Sequence, residues 1–128
     1  MNLLLDTHVL LWLLADTKKL STEAKDIIQN AKIVYFSPVN LWEIGIKKSI
    51  WTEYNIKCIE DIYAGALKAN LRELVVNSED TMFVSQLPMI HRDPFDRLLI
   101  SQAHNNQCHL MTVDGKISQY KMPCVVMI

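Results

Sequence analysis

Four acidic residues, Asp6, Glu43, Asp96 and Asp114, stand out by their surroundings. Asp6 follows the apolar run LLL, and Asp114 follows LMTV. Glu43 lies in NLWEIGI, between Trp42 and Ile44, an unusually apolar setting for a surface acid. Asp96 belongs to HRDPFDRLLISQA, residues 91–103, three positions after a second acid, Asp93. Carboxylates brought within a few ångströms of one another repel, and some take up protons unless a cation compensates them. Oxygen-only donors favour a hard divalent ion, Mg2+ or Mn2+, over zinc. Such an ion orients a water, lowers its pKa and stabilises charge on a phosphoryl oxygen. The set therefore suits metal-assisted phosphodiester hydrolysis, provided that the fold brings the four together.

Each acid also has an ordinary explanation. Asp is common in turns after strands, which would account for Asp6 or Asp114 alone. Glu43 and Lys47 form an i,i+4 pair, worth a few tenths of a kcal/mol on a solvated helix face. In the stretch DPFD, Asp93 is the natural helix cap and Pro94 the first helical residue. Asp96 then falls in the first turn, where a carboxylate favours the helix dipole by about 0.3–1 kcal/mol and can close a capping box. One acid is enough to start that helix. Asp93 reads as mainly structural, and Asp96 as the acid free to face a metal.

The elements that must position these residues follow from apolar pattern and caps. Short apolar runs predict strands at 3–5, 33–36, 74–76, 110–113 and 124–127. Helices are expected at 8–14, from Ser21 or Thr22 to about 30, and from the Ser37-Pro38 start through about Lys48. Three more are expected at 59–71, from a Ser78 cap to about 86, and from Pro94 to about 105. Strands separated by helices argue an α/β fold: one domain over residues 1–128, a parallel sheet with helices on both faces. In such sheets ligands bind beyond the carboxyl ends of the strands. The acids converge there if the first and fourth strands are neighbours.

Composition narrows the partners. The chain has 128 residues, half of them hydrophobic, and a net charge of −1. It is long enough for one real core. The charge does not mark a general polyanion binder, so such a partner needs a local patch or a metal. Three scattered cysteines suggest neither a disulfide framework nor a zinc cluster. None of the three glycines forms a phosphate-cradling loop. No apolar run approaches a membrane span, and Asp6 and His8 interrupt the one stretch that resembles a signal peptide. A cytoplasmic protein is expected.

Together, LLLDTHVLLWLL, SPVNLWEIGIK, HRDPFDRLLISQA and MTVD followed by Tyr120 resemble the PIN-domain family, and more narrowly the VapC-like toxin ribonucleases of type II toxin–antitoxin pairs. The resemblance spans Leu3 to Tyr120, and the ordered set is far more specific than any one motif. It implies a five-stranded parallel sheet with the first and fourth strands adjacent. It further implies that Asp6, Glu43, Asp96 and Asp114 form a metal site for Mg2+ or Mn2+ that cleaves single-stranded or looped RNA. A cognate antitoxin and a homodimer are the partners it implies. Thr7 and Thr112 match positions that support the site by hydrogen bonding, although each could equally satisfy local backbone. The sequence departs from relatives at KSIWTEYNIK, which leaves the path of residues 49–57 open.

Lys47, Lys48, Arg92 and Arg97 are candidates for holding RNA phosphates, against the alternative of solvated surface. Trp51 and Tyr54 could stack on bases or belong to the core. The expected activity is endoribonuclease. The alternative is a catalytically silent PIN domain that only binds protein or RNA. Histidine chemistry is not expected, because His8, His91, His104 and His109 show no pairing pattern. A phospho-receiver domain lacks its acid after the third strand, and a D-x-D phosphatase lacks its second Asp.

Overall fold

The computed structural model describes residues 1–128. Its five strands are β1 (Asn2–Leu5), β2 (Ile33–Phe36), β3 (Arg72–Glu73), β4 (His109–Thr112) and β5 (Val125–Met127). They form one sheet in the order β3-β2-β1-β4-β5, and every pairing is parallel. β1 is central. It pairs with β4 in the register Leu3↔His109, Leu4↔Leu110, Leu5↔Met111. This is the neighbour relation that convergence of the acids requires.

Eight helices flank the sheet: α1 (Thr7–Ala15), α2 (Thr22–Asn30), α3 (Pro38–Ile46), α4 (Lys48–Glu53), α5 (Ile59–Lys68), α6 (Ser78–Phe83), α7 (Pro94–Asn105) and α8 (Gly115–Ser118). Successive strand residues point to opposite faces, and LLL is apolar throughout because both faces are covered. Leu3, Leu5 and Met111 pack with Val9 and Leu10 of α1, Ala24 of α2 and Ala66 of α5. Leu4 and Leu110 pack with Val39 of α3 and with Leu99, Ile100 and Ala103 of α7. Each fully buried leucine contributes roughly 1.5–3 kcal/mol, which anchors the strands that carry the site.

Four details differ from expectation. α3 stops at Ile46, and residues near 49–57 include a helix, α4, whose Ile50 packs against Leu11 and Ile44. Trp51 Nε1 donates to the Ile44 carbonyl at 2.6 Å and so satisfies a backbone group freed by the break. α5 ends at Lys68 in a Schellman turn: Asn70 has φ 65°, with Leu71 N–H donating to Ala66 and Asn70 N–H to Leu67. β3 lies two residues earlier than expected, because β2 turns into α3 after Phe36 and leaves residues 75–76 no strand to pair with. Leu74 and Val76 pack half-buried side chains against the core instead. Finally, Asn77 rather than Ser78 caps α6, accepting from Asp80 N–H. No helix is long and apolar enough to cross a membrane.

Candidate metal centre

Asp6, Glu43 and Asp96 meet at the carboxyl ends of β1 and β4, and Asp114 joins them by way of Asp96 and His91. Asp6 ends β1 and caps α1. Its Oδ1 accepts from Thr7 N–H at 2.7 Å, and its Oδ2 accepts from Thr112 Oγ1 at 2.7 Å. Thr112 Oγ1 also accepts from Asp114 N–H at 3.0 Å, so one hydroxyl ties the two strand ends together. Thr7 Oγ1 donates to Glu43 Oε1 at 2.5 Å. Both threonines are fully buried.

Glu43 projects from α3 and is 3% exposed. Its second oxygen accepts from Lys47 Nζ at 2.5 Å. α3 starts with a capping box in which Ser37 N–H donates to Asn40 Oδ1. Asn40 Nδ2 then donates to Leu5 O and to Thr7 Oγ1. The start of α3 is thus joined to the end of β1 by the residue one turn before Glu43.

Asp96 lies in the first turn of α7, whose cap is Asp93, accepting from the N–H groups of Phe95 and Asp96. The division of labour read from DPFD holds for the cap. Asp96 Oδ2 lies 2.7 Å from His91 Nε2. Asp114 caps α8 through Oδ1, which accepts from Lys116 N–H at 2.8 Å. Its Oδ2 is 3.5 Å from His91 Nε2, and its side chain is the most open of the four acids.

Two sets of potential ligand atoms result, each within 4.8 Å mutually: Asp6, Glu43 and Asp96, and His91, Asp96 and Asp114. Burial pushes the Asp96 carboxyl up to about 8, with the charges of Asp6, Asp93, Glu43 and Asp114 adding to the effect. Burial also raises Asp6, with Glu43 adding to it; the hydrogen bonds from Thr112 and Thr7 oppose the shift without cancelling it. Lys47 is the one ammonium nearby. Burial lowers its pKa, but Glu43 and Asp93 more than offset this and hold it charged. It bonds Glu43 at 2.5 Å and Asp93 at 3.3 Å, which leaves Asp6, Asp96 and Asp114 without a fixed cation. Such a donor set, buried, oxygen-rich and short of positive charge, fits a hard divalent ion.

The phosphate candidates separate. Lys48 and Arg92 are exposed, and Lys47 lies inside the acid cluster. Arg97 is corrected: it is 7% exposed, and its guanidinium donates to the carbonyls of Val84, Leu87 and Pro88 and to Tyr120 Oη. Both terminal nitrogens of its fork are spent on the 84–88 turn and on Tyr120. Trp51 and Tyr54 are also structural. Tyr54 Oη accepts from Trp12 Nε1 at 2.8 Å, and Trp51 and Tyr54 pack beside Leu11 and Ile44.

Sequence reasoning missed His91 and Asn40. His91 precedes the helix rather than lying on it, so no helical period ties it to Asp96. Asn40 had a legible signal, since it stands three residues after a helix-capping serine and three before Glu43.

Known proteins agree with this architecture. A family model described as PIN domain matches residues 3–122. No curated protein matches the sequence. A similar solved structure is the crystal structure of VapBC2 from Rickettsia felis bound to a DNA fragment from their promoter. The match has a TM-score of 0.67 and 14% identity, and covers 100% of this chain and 98% of that one.

Proposed function

The chain belongs to the PIN domain family, and from that premise we propose that it is a metal-dependent endoribonuclease, the toxin of a toxin–antitoxin pair. The observation that carries the reading is the meeting of Asp6, Glu43 and Asp96 within 4.8 Å, buried and without a fixed cation of their own beyond Lys47. A domain that only bound RNA would not need buried carboxylates facing one another, which destabilise the fold unless a cation joins them.

Asp6 and Asp96 are the principal ligands in this reading, with Glu43 and Asp114 completing the set. Mg2+ or Mn2+ supplies Lewis acidity toward a phosphoryl oxygen and lowers the pKa of a water. The chain's own contribution is orientation. Thr7 and Thr112 fix the carboxylates of Glu43 and Asp6 by donating to them. Glu43 has both oxygens engaged, by Thr7 and by Lys47. Asp114 is the more open acid and is therefore assigned to orient the attacking water. In-line attack on phosphorus leaves a 5′-phosphate and a 3′-hydroxyl. Lys48 and Arg92, both exposed, hold RNA phosphates, while Lys47 stays paired with Glu43 and Asp93.

A cognate antitoxin is the partner proposed by analogy with the VapBC2 complex; a second copy of the chain and a cytoplasmic setting complete the proposal. The test is cleavage of labelled RNA by purified protein in Mn2+ and in EDTA, beside Asp6→Asn. Cleavage in Mn2+ that vanishes in EDTA and in the variant supports the reading. Binding of RNA or a partner without any cleavage would replace it by a silent PIN domain.

A further inference from the structure

His91 stands outside the acid set yet reaches into it. Its Nε2 lies 2.7 Å from Asp96 Oδ2 and 3.5 Å from Asp114 Oδ2. Asp96 also belongs to the all-oxygen group with Asp6 and Glu43. Two neighbouring donors on one six-coordinate ion, each about 2.1 Å from it, are roughly 3 Å apart. The two separations from Nε2 fall on either side of that value.

The loop that carries His91 is fixed, so the ring does not arrive by chance. His91 N–H and the Tyr120 hydroxyl lie 3.1 Å apart, and that hydroxyl lies 3.2 Å from His91 O. Arg97 Nη1 donates to the same hydroxyl, and Tyr120 is buried. The chain thus spends a buried phenol and a buried guanidinium on placing this segment. A simple histidine–carboxylate hydrogen bond explains the contact with Asp96. It does not explain why the same nitrogen also faces Asp114, a second carboxylate from a different element.

We propose that His91 Nε2 is a nitrogen donor to a cation position completed by Asp96 and Asp114, beside the all-oxygen position of Asp6, Glu43 and Asp96. The inference rests on the metal-dependent reading above and adds a ligand and a selectivity to it. Imidazole suits first-row transition metals such as iron, nickel and zinc, whereas magnesium keeps to oxygen donors. The position with His91 therefore disfavours Mg2+ and takes a transition-metal ion, for which Mn2+ is the paramagnetic probe, while the all-oxygen position accepts Mg2+ or Mn2+.

The test is pulsed electron paramagnetic resonance of the full chain with bound Mn2+, which reads coupling of the metal to nitrogen. The expected result is a 14N coupling in the wild type that is lost in His91→Gln and kept in His8→Gln. Calorimetry should show one Mn2+ site in His91→Gln weakened by at least about 10–100-fold, the loss that even an outer hydrogen-bond partner brings, with Mg2+ affinity nearly unchanged. If His91→Gln folds poorly, wild-type protein labelled with 15N-histidine replaces it, and the 14N coupling must then disappear. Mn2+ binding without nitrogen coupling overturns the role of His91 and leaves the metal site standing. A coupling that persists in His91→Gln or in the labelled protein overturns it too. Absence of any Mn2+ binding overturns both readings.

Discussion

Replacing Asp96 by Asn keeps the side chain's shape and removes its charge, and the metal-free protein should become more stable as a result. Asp96 is 6% exposed, and its carboxyl is raised from 3.8 to about 8 by burial and by the surrounding acids. Between those values the folded protein holds a proton that the unfolded chain has released. Stability contributed by this group is thus fully present below 3.8 and falls as the pH rises towards about 8. At pH 7 the interval already crossed is about three pH units, and at ~1.4 kcal/mol per unit the cost has a ceiling on the order of 4 kcal/mol. Asn is neutral in both states and avoids it, and its amide can still donate to His91 Nε2. Side-chain shifts and water relieve part of the penalty in the wild type, so the expected gain is about 2 kcal/mol. Urea denaturation in EDTA at pH 5 and pH 7.5 measures it: the variant should be the more stable at pH 7.5, and the difference should shrink at pH 5. Mn2+ at 100 times its dissociation constant should stabilise the wild type by about 2.7 kcal/mol and the variant far less. A variant less stable than wild type in EDTA, or equally stabilised by Mn2+, would refute the reasoning.

Mn2+ binding at pH 7 should release close to one proton, since Asp96 is protonated there without metal; calorimetry in buffers of different ionisation enthalpy counts it, and binding should weaken as the pH falls. Thr112→Val removes the donor to buried Asp6 and should cost about 1–3 kcal/mol in urea denaturation. Asn40→Ala frees Ser37 N–H and Thr7 Oγ1, and should lower stability by about 1–2 kcal/mol together with RNA cleavage, because Glu43 loses its support. Lys48→Ala and Arg92→Ala should leave the melting temperature unchanged and weaken RNA binding, with a flatter dependence on salt.

Local rules written in the sequence settled much of this molecule. LLL and the alternation of apolar runs with caps specify a parallel sheet covered on both faces, since only double burial makes continuous apolar strands favourable. Ser37-Pro38 and Asp93-Pro94 mark two helix starts correctly, because caps act within one turn. The positions of Asp6 and Asp114 at strand ends and of Asp96 in a first turn were legible for the same reason. Contacts across the chain were not. That His91 meets both Asp96 and Asp114 depends on the β1–β4 pairing, on α7 and on the Tyr120 hydroxyl. That Arg97 faces inward, although Arg92 faces out, depends on where three carbonyls of the 84–88 turn end up. The break after Ile46 depends on an indole supplied by α4. Burial and partner are properties of the packed fold, whereas periodicity and capping are properties of neighbours in sequence, so the first set had to wait for the tertiary structure.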